Sequence, residues 1–142
     1  MANIVPDSFK TDLLGGVFDF DSGGSTFNLA LYTSQAGFST ATTAYTTSNE
    51  VLSAGTNYTA GGNTLTNNGV AISSNIAYVD FADLTFSSVT LSATGALIYK
   101  DTSNEAVLVL DFGGTKTATN GDFVVQFPAA DSTNAIIRLG DA

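Results

Sequence analysis

Cysteine and histidine are both absent from the 142-residue sequence, and basic side chains are almost absent too. The first two absences exclude disulfides, thiolate nucleophiles, Cys/His zinc sites and every acid–base mechanism built on imidazole. Lys10, Lys100, Lys116 and Arg138 are the only cations against thirteen acidic residues, a formal net charge of −9. Neutralising phosphates needs clustered Lys and Arg, so nucleic acid is not expected as a direct partner. An acidic surface favours solubility and attracts basic protein surfaces. No apolar run approaches a membrane span, and the N-terminus lacks the basic-then-apolar pattern of a signal peptide. A membrane partner is therefore not expected, and synthesis in a cytoplasm is.

What is present suits a folded core: 44% of residues are hydrophobic, and ten are Phe. Low charge content therefore does not signal disorder. The length predicts one domain over residues 1–142. A short N-terminal helical arm is expected at about 6–14, with Pro6 at its entry, Asp7 or Ser8 as cap and Gly15-Gly16 as its stop. Phe9, Leu13 and Leu14 form its apolar stripe.

Beyond that arm the period becomes alternating. Phe27, Leu29 and Leu31 alternate with Asn28, Ala30 and Tyr32, which predicts a strand. From Ser34 to Asn68 the chain is rich in Thr, Ser, Asn, Gly and Ala, with Phe38, Tyr45, Val51, Leu52, Tyr58 and Leu65 widely spaced. This stretch (34–68) reads as a long loop excursion, a kind of segment that usually carries function or flexibility. Strands resume at 70–73 and 76–81, with Ser74-Asn75 as a tight hairpin turn. Further strands are expected at 85–91, 93–100, 106–112, 122–127 and 135–139. Asp101 to Asn104 forms a polar turn, and Gly113 to Gly121 a glycine- and threonine-rich loop. About eight closely spaced strands without crossover helices predict an all-β fold, an antiparallel β-sandwich of jelly-roll-like type. Leu29, Leu31, Val79, Phe81, Leu108, Leu110, Val125 and Ile137 are its expected core.

Motifs for chemistry are incomplete. Gly113-Gly114-Thr115-Lys116-Thr117 lacks the Gly-Lys step and following helix of a phosphate loop. Asp19-Phe20-Asp21-Ser22-Gly23 has the opening of a calcium loop without its later ligands, and a backbone turn explains it better. Asp80, Asp83, Asp101 and Asp111 are candidate carboxylates for glycoside hydrolysis, but nothing in the sequence pairs them. Ser and Thr hydroxyls have no histidine base, and there is no Gly-x-Ser-x-Gly elbow. Asn57-Tyr58-Thr59 matches a glycosylation acceptor, relevant only on a eukaryotic secretory route. These motifs predict a non-enzymatic protein with no cofactor, no metal, no catalytic residue and no small-molecule ligand.

Several strings, taken in order, carry a resemblance. They are Met1-Ala2-Asn3-Ile4-Val5, Ser8-Phe9-Lys10 and Leu13-Leu14, then Phe27-Asn28-Leu29-Ala30-Leu31-Tyr32-Thr33 and Thr46-Thr47-Ser48-Asn49-Glu50-Val51. Gly55-Thr56-Asn57-Tyr58-Thr59-Ala60-Gly61-Gly62, Gly95-Ala96-Leu97-Ile98-Tyr99 and Phe127-Pro128-Ala129-Ala130 complete it. Over nearly its whole length the chain resembles small Ala/Thr/Gly-rich structural proteins of tailed bacteriophages, including marine and cyanobacterial phages. The resemblance implies a virion component, foremost a capsid cement or decoration protein on the capsid surface, made in the bacterial host. Its partners would be the major capsid protein and sister copies, as a homotrimer on the shell. A tail or head fibre module binding a host receptor or glycan is the alternative, and a small hydrolase ranks last. Expected partner-binding residues are Phe9, Leu13, Leu14, Phe18 and Phe20, together with Tyr45 and Tyr58 of the excursion. Their apolar bulk is surplus to a sandwich whose strands already supply a core, although the helix plugging one open end competes with an interface role.

Overall fold

Alternation after Gly24 becomes strand wherever both edges find partners, because successive side chains leave a strand on opposite faces. The computed structural model of the chain describes residues 2–140, so Met1, Asp141 and Ala142 of the expected 1–142 unit lie outside the described residues. Among the described residues there is one helix, α1 (Asp7–Leu14). Seven strands follow it: β1 (Phe27–Tyr32), β2 (Asn63–Thr64), β3 (Asn67–Ser73), β4 (Ile76–Phe81), β5 (Leu84–Lys100), β6 (Ala106–Val125) and β7 (Ile137–Leu139). They form an antiparallel sandwich of two sheets, ordered β2-β1-β5-β6 and β3-β4-β7. The all-β expectation holds with seven strands instead of about eight.

The difference lies in β5 and β6. The expected strands at 85–91 and 93–100 are one strand of 17 residues, and those at 106–112 and 122–127 belong to one strand of 20. The stretch from Gly113 to Gly121 is therefore not a loop. Its residues pair with β5, as in Leu91 opposite Ala118 and Ala93 opposite Lys116. Register shifts absorb the irregular steps, and Ser88 and Asn120 take positive φ beside them. Such bulges bend a long ribbon without ending it. The β3–β4 turn is as expected: Ser74 and Asn75 both have positive φ, as a two-residue type I′ turn requires.

Both faces of the four-stranded sheet are covered around β1, the second half of β5 and the start of β6. On one, Phe27, Leu29, Leu31, Ile98, Leu108 and Leu110 meet Val79 and Phe81 of the smaller sheet. Of the eight expected core residues seven are buried, while Ile137 is partly buried against them. On the opposite face Ala30, Tyr32, Leu97, Tyr99 and Val109 pack with Phe38, and Ile4 and Tyr45 lie against them. Segment 34–68 is thus no free excursion. It buries Phe38, Val51, Tyr58 and Leu65, and it contains β2 and the first residues of β3. The start of β6 is shielded as well: Ile4 exchanges two backbone hydrogen bonds with Val109 at 2.9 Å each, and the Ala106 N–H donates to Thr43 O at 3.0 Å. Covering an edge this way removes a site for unwanted strand pairing.

Burial also corrects the expectation for the N-terminal aromatics. Phe9, Phe18 and Phe20 lie inside the chain's own core, in a continuous run of ring contacts that ends with Phe20 stacked on Phe27 at 4.7 Å. A three-stranded sheet is too narrow to cover its four-stranded neighbour, and these rings fill the remainder. The plug role accounts for them, and they are withdrawn as surface contacts.

Candidate functional site: a buried carboxylate and an uncovered apolar cleft

Between Asp21 and Asp80 the sequence holds a single charged residue, Glu50. It is 6% exposed and sits where segment 45–62 folds over β1. An isolated carboxylate so placed needs donors, since an unpaired buried charge is costly. Three are supplied. Tyr45 OH donates to Oε2 at 2.6 Å, Tyr58 OH donates to Oε1 at 2.7 Å, and the Gly61 N–H donates to Oε1 at 2.6 Å.

The network continues outward from the carboxylate. Tyr58 OH accepts the Leu31 N–H at 3.0 Å, which ties it to the centre of β1. Tyr99 OH donates to Gly61 O at 2.6 Å, and its ring stacks on Tyr45 with centroids 4.6 Å apart. Tyr32 OH donates to Thr46 O at 2.6 Å. Four of the five tyrosines thus hold one polar segment against β1 and β5. Both carboxylate oxygens are already occupied within the chain, so the arrangement acts as a clamp.

Each of these four phenols is held above the ordinary tyrosine range. Burial is the first cause in every case, and the Glu50 carboxylate adds to it. A raised folded-state value means that the stability contribution is complete below the unfolded phenol's pKa of about 10. It is lost as pH rises from there towards the folded values. Tyr32 and Tyr58, which are buried, are each expected to cost about 1.4 kcal/mol per pH unit above that point. Tyr45, which is half-buried, contributes less where solvent reaches it. Denaturant titrations at rising alkaline pH check this: stability should fall steeply above about pH 10, and tyrosinate absorbance from these residues should emerge together with unfolding.

Tyr45 and Tyr58 were expected on the surface. Tyr58 is buried, and Tyr45 is half-buried with its ring against Tyr99, so the two form no open aromatic platform and are corrected to clamp residues. Sequence reasoning passed over Glu50, although its solitude in a long uncharged stretch was a usable signal. The four candidate carboxylates serve separate local partners. Asp80 accepts from Asn68 Nδ2, Asp83 from the Phe127 N–H, Asp101 from Asn28 Nδ2 and Asp111 from the Gly113 N–H. Asp19 and Asp21 make a turn, with the Asp21 N–H on Asp19 Oδ1 and the Gly24 N–H on Asp21 O. Among the described residues no three His, Cys, Asp or Glu gather as metal ligands, and no helix is long and apolar enough to cross a membrane. Asn57 of the acceptor triplet directs its Nδ2 to Ser87 O and Ser88 O.

The second feature lies on the other side of the molecule's larger core. A cleft of about 570 Å³ runs between α1, β6 and residues 135–140, with Leu13, Leu14 and Val5 on one wall and β7 on the other. Leu13 is half-buried there, and Leu14 is 85% exposed. Of the residues first expected to meet a partner, these two remain accessible.

Fold and site together define a class: a two-sheet antiparallel β protein with a tyrosine–carboxylate clamp on one sheet face and an apolar cleft at the helix. The chain matches no protein-family model, no curated protein and no solved structure.

Proposed function

We propose that the chain is a structural protein of a virion, a cement or decoration protein that strengthens a phage head through contacts with the major capsid protein and with sister copies. The observation that carries this reading is the uncovered apolar surface around the cleft. Leu14, Val5 and Leu139 stand exposed together on a molecule whose other large side chains are mostly committed to its two cores. Apolar side chains left in contiguous contact with water mark a surface for protein association. A cement protein works by adding buried area across subunit boundaries, which requires a rigid body and an adhesive face but no chemistry. The tyrosine–carboxylate clamp and the covered start of β6 support the first requirement. The resemblance to phage structural proteins points the same way.

The test uses shells assembled from the cognate major capsid protein. The purified chain is expected to co-sediment with them saturably, at a fixed ratio to capsid subunits. Leu14→Asp, at a position already in solvent, is expected to weaken binding by about tenfold or more with an unchanged melting temperature. An absence of co-sedimentation at concentrations on the order of 10 μM would contradict the reading.

A further inference from the structure

The smaller sheet reaches the cleft through β7, and its register shows how its inner face ends there. Val79 and Phe81 of β4 are buried and face the core, so strand alternation puts Ala77 on that same inner face. Pairing then aligns two rows across it: Val70, Val79 and Ile137 in one, Ile72, Ala77 and Leu139 in the other. The first row is partly covered, with Val70 49% exposed. The second is nearly bare, Ile72 being 73% and Leu139 61% exposed. A sheet's inner face thus runs past its core and ends in apolar side chains without a layer on top. β7 is also the last strand of its sheet among the described residues, and Ala135 to Gly140 form a wall of the cleft.

Charge narrows the occupant. Of four cations on a chain of net charge −9, two line this cleft: Lys10, paired with Asp7 at 2.9 Å, and Arg138, whose Nη1 donates to Thr133 O while its side chain stays exposed. Arg138 is exposed between Ile137 and Leu139, on the opposite face of β7 from both. A second copy pairing β7 with β7 about a two-fold axis at Arg138 would set guanidinium against guanidinium, which destabilises a strand pair. An acidic residue in that position is favourable instead.

We infer that the cleft receives an extended segment of a partner protein with the pattern apolar–acidic–apolar, added as a strand along β7. One apolar side chain extends the Ile72–Ala77–Leu139 row beside Leu139, the other extends the Val70–Val79–Ile137 row beside Ile137, and the carboxylate between them meets Arg138. Main-chain hydrogen bonds supply affinity in this mode of recognition, while alternate side chains supply specificity. The inference deepens the cement reading and rests on it for the partner, which would be a capsid subunit offering such a segment.

The experiment titrates the isotope-labelled full chain with an acetylated, amidated Thr-Val-Glu-Ile-Thr peptide while amide resonances are followed. Shifts are expected at Ile137 to Gly140 and at Leu13 and Leu14. The Thr-Val-Lys-Ile-Thr peptide is expected to bind about fivefold more weakly, as one cross-strand charge pair allows. Arg138→Glu, an exposed position whose folding is checked by melting, should reverse the preference. Equal affinity for the two peptides, or no shift at β7, would overturn the inference. Dilution shifts of the same amides without peptide would also overturn it, assigning the cleft to a second copy. Because no shell is present, a failed peptide titration bears on the cleft alone, and failed shell binding alongside a successful titration bears on the cement reading.

Discussion

Gly62→Ala is expected to abolish cooperative folding or to cost about 4 kcal/mol or more, among the largest effects a single methyl group can have. Gly62 has φ +77°, a region L side chains rarely adopt. A Cβ there would also stand 1.8 Å from the Leu29 carbonyl oxygen and 2.8 Å from Ala30 Cα. Leu29 and Ala30 are wholly buried in the middle of β1, so neither can retreat. Relief would require lifting segment 45–62 off the sheet, which breaks the hydrogen bond from Tyr99 OH to Gly61 O and that from the Leu31 N–H to Tyr58 OH. Thermal unfolding of the variant measures this directly. A cooperative transition near that of the unchanged protein would show that the close approach is not a feature of the fold.

Glu50→Ala is the second large effect, expected at about 3 kcal/mol or more. It removes the acceptor for three donors at once, and each buried donor left unsatisfied costs roughly 1 to 3 kcal/mol. Glu50→Gln discriminates between losing the charge and losing the acceptors. Its amide oxygen can still accept from Tyr58 and Gly61, while its amide nitrogen can donate to a rotated Tyr45 hydroxyl. The expected loss for Gln is therefore well below that for Ala. Equal losses in denaturant unfolding would mean that the charge, and not the donor–acceptor geometry, dominates the clamp.

The strands were readable where large apolar side chains recur at every second position. β1 was legible at its observed limits, and the Ser74-Asn75 turn was legible because few residue pairs accept two successive positive φ values. The outer half of β6 was not. Thr115 to Asn120 is polar because most of it faces solvent, and polar alternation beside two glycines reads as a loop until its partner in β5 is known. The lid over the second sheet face was hidden for a related reason. Ala30, Tyr32, Leu97 and Tyr99 looked like the outward residues of their strands, and only the distant Phe38 and Tyr45 make them interior.

The same non-locality misdirected the choice of site residues. Phe9, Phe18 and Phe20 were read as surplus by counting strand-borne side chains, a count that assumes two sheets of equal width. With three strands facing four, the aromatics complete the core. Leu14 is exposed because a helix stripe that includes both Leu13 and Leu14 is wider than one packing partner covers. The exposed row on β3, β4 and β7 had no sequence signature, since Ile72 and Leu139 alternate as inward residues do. Its exposure follows from where the neighbouring layer ends.

Imaging the intact virion by electron cryomicroscopy tests the central claim most directly. The account predicts a seven-stranded two-sheet density on the outside of the head, bridging neighbouring capsid subunits, with α1 and β7 turned towards the shell. Density for the chain confined to a tail or fibre, or lying on the head with that face turned to solvent, would contradict it.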